Sequence, residues 1–283
     1  MAELATRGDG RDAGRIDALL AERSPEVVAA AGGDGTVREV VAALLRAKAP
    51  RPALGFVPLG TGNNAARSHG MRSLRGGGAA AATRAITAIA QGERRAIDIG
   101  LLDDRPFVGS FAVGMDADVL SVRNRIRGRV GPSVDGYALY LASFLLALPR
   151  SGRPVAAKLR FDEREEASPL TNLAALTAPI YAGVFRFDDT RAAVDGLLSV
   201  HVVRGWPEYL VEYPAAWSRH LRALGGARVA PSHRLSAART LAIELERPLA
   251  AQIDGEACGA RSSYRVRVLP GAIRACAPVP TTP

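Results

Sequence analysis

The sequence predicts an α/β region with a parallel sheet over residues 1–97, then a mainly antiparallel, sandwich-like β region over residues 98–270. Two early apolar runs each break into glycines and restart at helical spacing, as strand–loop–helix units of a parallel sheet do. After Ile97-Asp98-Ile99-Gly100 the texture changes to short apolar runs separated by turn residues. No fixed-period repeat interrupts either region.

A helical pattern over Ala13–Glu22 leads to a strand at Val27–Ala31. The glycine run Gly32-Gly33-Asp34-Gly35-Thr36 follows, and Val37–Ala47 reads as a helix. Pro50 and Pro52 break the chain before a second strand, Ala53–Pro58, which ends in Leu59-Gly60-Thr61-Gly62-Asn63-Asn64. Ala79–Ala90 is an alanine-rich helix stopped by Gly92. The expected strands beyond are Pro106–Val113, Val155–Phe161, Leu173–Thr177, Leu197–Val203, Thr240–Leu245, Ala250–Ile253 and Tyr264–Leu269, with a helix at Tyr137–Leu148. Residues 271–277 are expected to pack back on the first region, and the Pro- and Thr-rich tail 278–283 to be disordered.

At 283 residues the chain can bury a real core, and its 48% apolar and 23% charged residues fit a globular enzyme. Net charge is +9, carried by arginine apart from Lys48 and Lys158, which favours anionic partners. Aromatic residues are only 5% and no basic-plus-aromatic array stacks bases, so no nucleic-acid partner is expected. Cys258 and Cys276 lack metal-ligand spacing and the four histidines are scattered, which argues against zinc and for a reducing cytoplasm. The longest apolar stretch, Tyr137–Leu148, is too short to span a bilayer.

Glycines between a strand and a helix let a phosphate approach bare amides at the helix's positive end. Asp34 inside such a loop repels phosphate unless Mg²⁺ or a proton transfer makes use of it. The Gly60–Asn64 loop repeats the setting, at the carboxyl end of a strand where ligands of such sheets bind. In Ala251-Gln252-Ile253-Asp254-Gly255-Glu256, strand alternation would put Gln252, Asp254 and Glu256 on one face; an Asp-Gly hairpin turn with a solvated Glu is the simpler reading. Val194-Asp195-Gly196-Leu197 reads as an aspartate turn before a strand. The basic run Arg123–Arg129 before the apolar segment is read as a solvated loop before a core helix, with an anionic-surface contact as the alternative.

In this order, Gly32–Thr36, Pro58–Asn64 with Ala66-Arg67, Asp98-Ile99-Gly100, Val130-Gly131-Pro132, Asp195–Leu198 and Asp254-Gly255-Glu256 resemble the diacylglycerol kinase catalytic-domain family, soluble bacterial lipid kinases related to sphingosine kinases. The resemblance implies a nucleotide-binding α/β domain of the NAD kinase/diacylglycerol kinase type and a β-rich lipid-substrate domain. It implies an ATP- and Mg²⁺-dependent phosphorylation of a hydroxyl of diacylglycerol or a related lipid at a membrane surface. The first loop (Gly32, Gly33, Asp34, Gly35, Thr36) and the second (Gly60, Thr61, Gly62, Asn63, Asn64), with Thr6, would contact nucleotide. Glu256 matches the proton acceptor, and Asp34, Asp98 and Asp254 would organise Mg²⁺ and water. Asp195, with the carbonyls of Ala192 and Leu197, matches a structural Mg²⁺ site of some members. The implied location is the cytoplasm, at the inner membrane face; oligomeric state stays open, a dimer included.

The chain departs from the pattern at Ala65, Ser110, Val194 and Asp189-Thr190-Arg191, which bears on the structural Mg²⁺ and the lipid preference more than on the phosphate loop. Family members begin with a strand, an Asn-Pro-x-Ser-Gly loop, a helix and a second strand, roughly 35 residues at typical element lengths. The resemblance thus leads us to expect a misassigned start or, less favoured, a truncated paralogue. An impaired nucleotide- or lipid-binding homologue and a kinase of a soluble substrate such as NAD are the alternatives.

Overall fold

A computed structural model describes residues 2–6, 12–48, 50–71, 74, 78–131, 137–187, 195–227, 230–232 and 234–278. The last residues of the tail, 279–283, lie outside the described residues.

Helix α1 (Asp12–Arg23), strand β1 (Val27–Gly32), α2 (Asp34–Arg46), β2 (Ala53–Pro58), the short α3 (Asn64–Ser68) and α4 (Gly78–Gln91) make up the α/β region. Strands β1 and β2 pair in parallel, Val27 opposite Ala53 through Gly32 opposite Pro58, so both glycine loops leave the same end of the sheet. Helix α2 buries Val37, Val40, Val41 and Leu44, the apolar face that the sequence spacing foretold. It begins earlier than expected. Gly33 is its N-cap and Asp34 its first residue, where the helix dipole favours a carboxylate. The expected loop Gly32–Thr36 is therefore largely the first helical turn.

Strands β3 (Arg94–Leu102), β4 (Arg105–Phe107) and β5 (Ser110–Gly114), helices α5 (Met115–Val130) and α6 (Tyr137–Ser151), and strands β6 (Val155–Phe161), β7 (Arg164–Leu170), β8 (Asn172–Leu176) and β9 (Leu198–Val203) follow. Helix α7 (Trp206–Leu224) and strands β10 (Leu235–Ala238), β11 (Thr240–Ile253) and β12 (Glu256–Cys276) complete the chain. The sheet path β1-β2-β12-β11-β5-β8-β9-β10 joins the two regions, because the long β12 pairs antiparallel with β11 and β3 and ends parallel to β2 at Ala275 and Leu54.

Several elements correct the sequence reading. The expected strand Pro106–Val113 splits into β4 and β5, because the N–H groups of Val108, Gly109 and Ser110 turn to a carboxylate instead of a ladder. Thr240–Leu245 and Ala250–Ile253 are one strand with a register shift between Glu244 and Leu249. The basic run Arg123–Arg129 is the second half of helix α5, not a loop.

Three apolar clusters support this frame. One lies between α1, α2 and the parallel strands around Phe56, Leu44 and Ile99. The second fills the β-rich region around Phe111, Leu159, Ile243 and Tyr264. The third, under α5, α6 and α7, holds the aromatic residues Phe144, Tyr181, Phe185, Phe187, Tyr209 and Tyr213.

Candidate active site

The two glycine loops touch through their backbones. A Cβ on Gly60 would lie 2.4 Å from Gly33 Cα, so glycine is required for this approach. Gly32 O accepts hydrogen bonds from the N–H groups of Leu59 and Gly60, binding one loop to the other. Asn63, at φ +51°, donates from Nδ2 to Gly60 O at 2.7 Å and shapes the second loop from within. Asp34 reaches across: Oδ1 accepts from Ala65 N at 3.0 Å and Oδ2 from Asn64 Nδ2 at 3.3 Å. Asn64 Oδ1 is buried and has no hydrogen-bond partner among the described residues.

The hairpin between β11 and β12 supplies the opposite wall. Its two central residues, Asp254 at φ +47° and Gly255 at φ +83°, form a two-residue turn of the kind Asp-Gly favours. This is the turn reading, not one continuous strand face. Gly255 N donates to Gln252 Oε1 at 2.7 Å across its base. The Asp254 carboxylate accepts from Val108 N, Gly109 N and Ser110 N at 2.8 to 2.9 Å. Burial pushes its carboxyl up to about 6 against the pull of those donors, and the charge of Asp34 adds to the rise. Two carboxylates that the sequence separates by more than two hundred residues thus line one cleft. Glu256 is half exposed, pairs with Arg38 of α2, and lies against Gly35: a Cβ there would be 2.7 Å from Glu256 Oε1.

A cleft of about 790 Å³ opens between these walls. It is lined by Gly33, Asp34, Gly35, Thr61, Gly62, Asn64, Asp254 and Glu256, and continues past Asp116, Arg123 and Arg127 to Leu120, Tyr140, Tyr181, Val184 and Phe185. Arg67 Nη1 donates to Gly183 O at 2.7 Å and ties α3 to this second part.

Other predicted positions lie outside that lining. Thr6 is exposed in the segment before α1. Thr36 folds back on Gly32, where a Cβ would be 2.3 Å from its Oγ1. Asp98 is buried with Oδ2 accepting from Gly196 N and Oδ1 from Gly271 N, at 2.7 and 2.8 Å, so it pins the turn before β9 to the irregular middle of β12. Asp195 is exposed and its Oδ1 accepts from Leu197 N at 2.9 Å, while Ala192 lies outside the described residues.

Sequence reasoning missed Asp116. Buried at the start of α5, it accepts from Tyr209 OH at 2.7 Å, Tyr181 OH at 2.6 Å, Asn172 Nδ2 at 2.8 Å and Tyr213 OH. Tyr209 and Tyr213 stack with centroids 3.8 Å apart. Burial, then the Asp116 charge, holds the hydroxyls of Tyr181, Tyr209 and Tyr213 well above the ordinary phenol range, so they stay protonated donors. The only local sign was an aspartate two residues beyond a glycine at the end of an apolar run, which is a common pattern.

Residues 3–102 match the model of the diacylglycerol kinase catalytic domain, and over this stretch the chain is similar to that family. A YegS-like lipid kinase of Chromohalobacter salexigens is 29% identical over 197 residues, 69% of this chain and 60% of that protein. A diacylglycerol kinase of Staphylococcus saprophyticus is 31% identical over 144 residues, 50% of this chain and 42% of its own length. The matches thus span about two fifths to three fifths of these curated relatives. A crystal structure described as a diacylglycerol kinase from Bacillus anthracis shares the fold, with TM-score 0.70 at 18% identity, covering 97% of this chain and 84% of that one.

Proposed function

We propose that this chain transfers the γ-phosphoryl group of ATP to a hydroxyl of diacylglycerol or a related lipid. The observation that carries the reading is the placement of Glu256 against Gly35, where a proton acceptor meets the helix end that would hold phosphate. Nucleotide phosphates bind at the first turn of α2, whose leading N–H groups have no partner within the helix. Gly33 and Gly35 let the phosphates approach, and Thr61 and Asn64 add side-chain contacts from the second loop. Glu256 then accepts the proton of the lipid hydroxyl as its oxygen attacks, a step in which positioning outweighs covalent work.

Among the described residues no group of three or more acidic, His or Cys side chains could hold a metal. Asp34 and Asp254, which line the same cleft, suit Mg²⁺ of the other kind, which uses one or two carboxylates and substrate phosphates. Bound there, Mg²⁺ would supply neutralisation of the charge on the transferred group. Asp254 is held for this by three backbone donors, and Asp34 by Ala65 N and Asn64.

Leu120, Tyr140, Val184 and Phe185 offer the lipid an apolar wall beside the glycine loops. Leu141, Leu145 and Leu146 of α6 are more than half exposed, and with the α5 arginines they support contact with an anionic membrane surface at the inner face. No helix among the described residues is long and apolar enough to cross a membrane. The test is transfer of ³²P from ATP to diacylglycerol in mixed micelles, with NAD as a parallel acceptor. Lipid labelling that Glu256→Gln lowers at least about 100-fold is expected of a lost proton acceptor; labelling of NAD instead, or none, overturns the reading.

A further inference from the structure

Glu256 is placed poorly by its own backbone. It follows directly on the Asp254-Gly255 turn, its side chain is 50% exposed, and three rotatable bonds separate the carboxylate from the strand. Arg38 is the opposite case. It lies on α2, its side chain is only 12% exposed, and its Nη1 donates to Ile253 O at 3.4 Å, just before the same turn. The guanidinium's other terminal nitrogen holds Glu256 Oε2. Oε1 is left facing Gly35, where even a methyl group would sit 2.7 Å away.

We propose that Arg38 is a positioning residue for Glu256, fixing one carboxylate oxygen so that the other is presented to the phosphate loop. The proposal rests on the reading of Glu256 as proton acceptor. Arg38 belongs to the helix whose N-terminus forms the phosphate end of the cleft, so the acceptor's position is set from the same rigid element as the phosphates. A planar guanidinium suits this task, because two terminal nitrogens anchor at separate points while a lysine offers one point charge. An ion pair with one exposed partner adds little to stability, so its value here lies in geometry. Small misplacements of reacting groups cost up to about 100-fold in rate.

The experiment measures kcat and KM for ATP and lipid in the full chain for Arg38→Met, Arg38→Lys, Glu256→Gln and the Arg38→Met/Glu256→Gln pair. Arg38→Met is expected to lower kcat about 10- to 100-fold with both KM values within about threefold. Arg38→Lys recovers part of the loss, added guanidinium ion recovers part of it in Arg38→Met, and the double variant is no slower than Glu256→Gln alone. If Arg38→Met fails to fold, Arg38→Lys carries the test, with kcat still below the parent's because one anchoring point replaces two, and both KM values within about threefold. An unchanged kcat, a raised KM for ATP with kcat intact, or additive losses in the pair each overturn the proposal. A Glu256→Gln variant as active as the parent overturns the proton-acceptor reading instead, so the two failures are told apart.

Discussion

The glycine-loop part of the cleft draws on neighbours in sequence, whereas its tyrosine part gathers single residues from distant elements. Gly33, Asp34 and Gly35 come from one turn, and Thr61, Gly62 and Asn64 from another. Asp116 instead meets Asn172, Tyr181, Tyr209 and Tyr213, which lie 56 to 97 residues along the chain. The first part works through backbone amides and empty space, the second through side-chain hydroxyls packed on a charge. Filling space should break the first, and removing a charge or a donor the second.

In the loops the expected effect falls on nucleotide binding. Gly60→Ala forces apart backbones that cannot both stay, since the new Cβ meets Gly33 Cα. Calorimetric titration should show ATP affinity lower by at least about tenfold, a cost of about 1.4 kcal/mol. In the tyrosine part, Asp116→Asn replaces a charged acceptor of four donors by an amide that can satisfy fewer of them. Denaturant unfolding should show a loss of about 3 kcal/mol, as for a broken buried charge network. Tyr209→Phe removes one charge-assisted hydrogen bond and should cost about 1.5 kcal/mol.

Acid should weaken the two parts in different windows. Under the loops His69 stacks on Phe56, and burial holds its imidazole down at about 4. The unfolded chain takes up that proton below about 6.5, so stability falls as pH drops from there towards 4. Beside the tyrosines, the hydrogen bond with His201 and then one with Ser232 outweigh burial and hold the Glu212 carboxyl at about 2. That contribution is present above about 4.5 and is lost as pH falls towards 2. Thermal melts against pH should lose the upper slope in His69→Gln and the lower one in Glu212→Gln, and slopes that persist would contradict the assignment.

The same contrast explains what the sequence made legible. Glycines after an apolar run are a local signal, so β1, β2, the second loop and the Asp254–Glu256 turn could be read directly, but not that Asp34–Thr36 already belong to α2. Helix α7 was hidden because Pro207 and Pro214 stand within its span, and only the structure shows it carrying Tyr209, Glu212 and Tyr213 inward. Helix α5 was hidden because its arginines give it almost no apolar face. Thr36 and Asp98 illustrate a finer limit. Their residue types suit phosphate and metal, yet Thr36 is turned on Gly32, and Asp98 lies outside the cleft lining, bridging Gly196 N and Gly271 N. Spacing shows which residue types are present, and tertiary contacts decide which way they face.

On the proposed reading the cleft has a nucleotide end built by the glycine loops and a separate tyrosine end that does not bind nucleotide. Titration of the wild type, Gly60→Ala and Asp116→Asn with Mg·ATP in the absence of lipid tests it most directly. The account predicts saturable binding by the wild type, affinity reduced at least about tenfold in Gly60→Ala, and affinity within about twofold of wild type in folded Asp116→Asn. Equal loss in both variants, or no binding by the wild type, would contradict it.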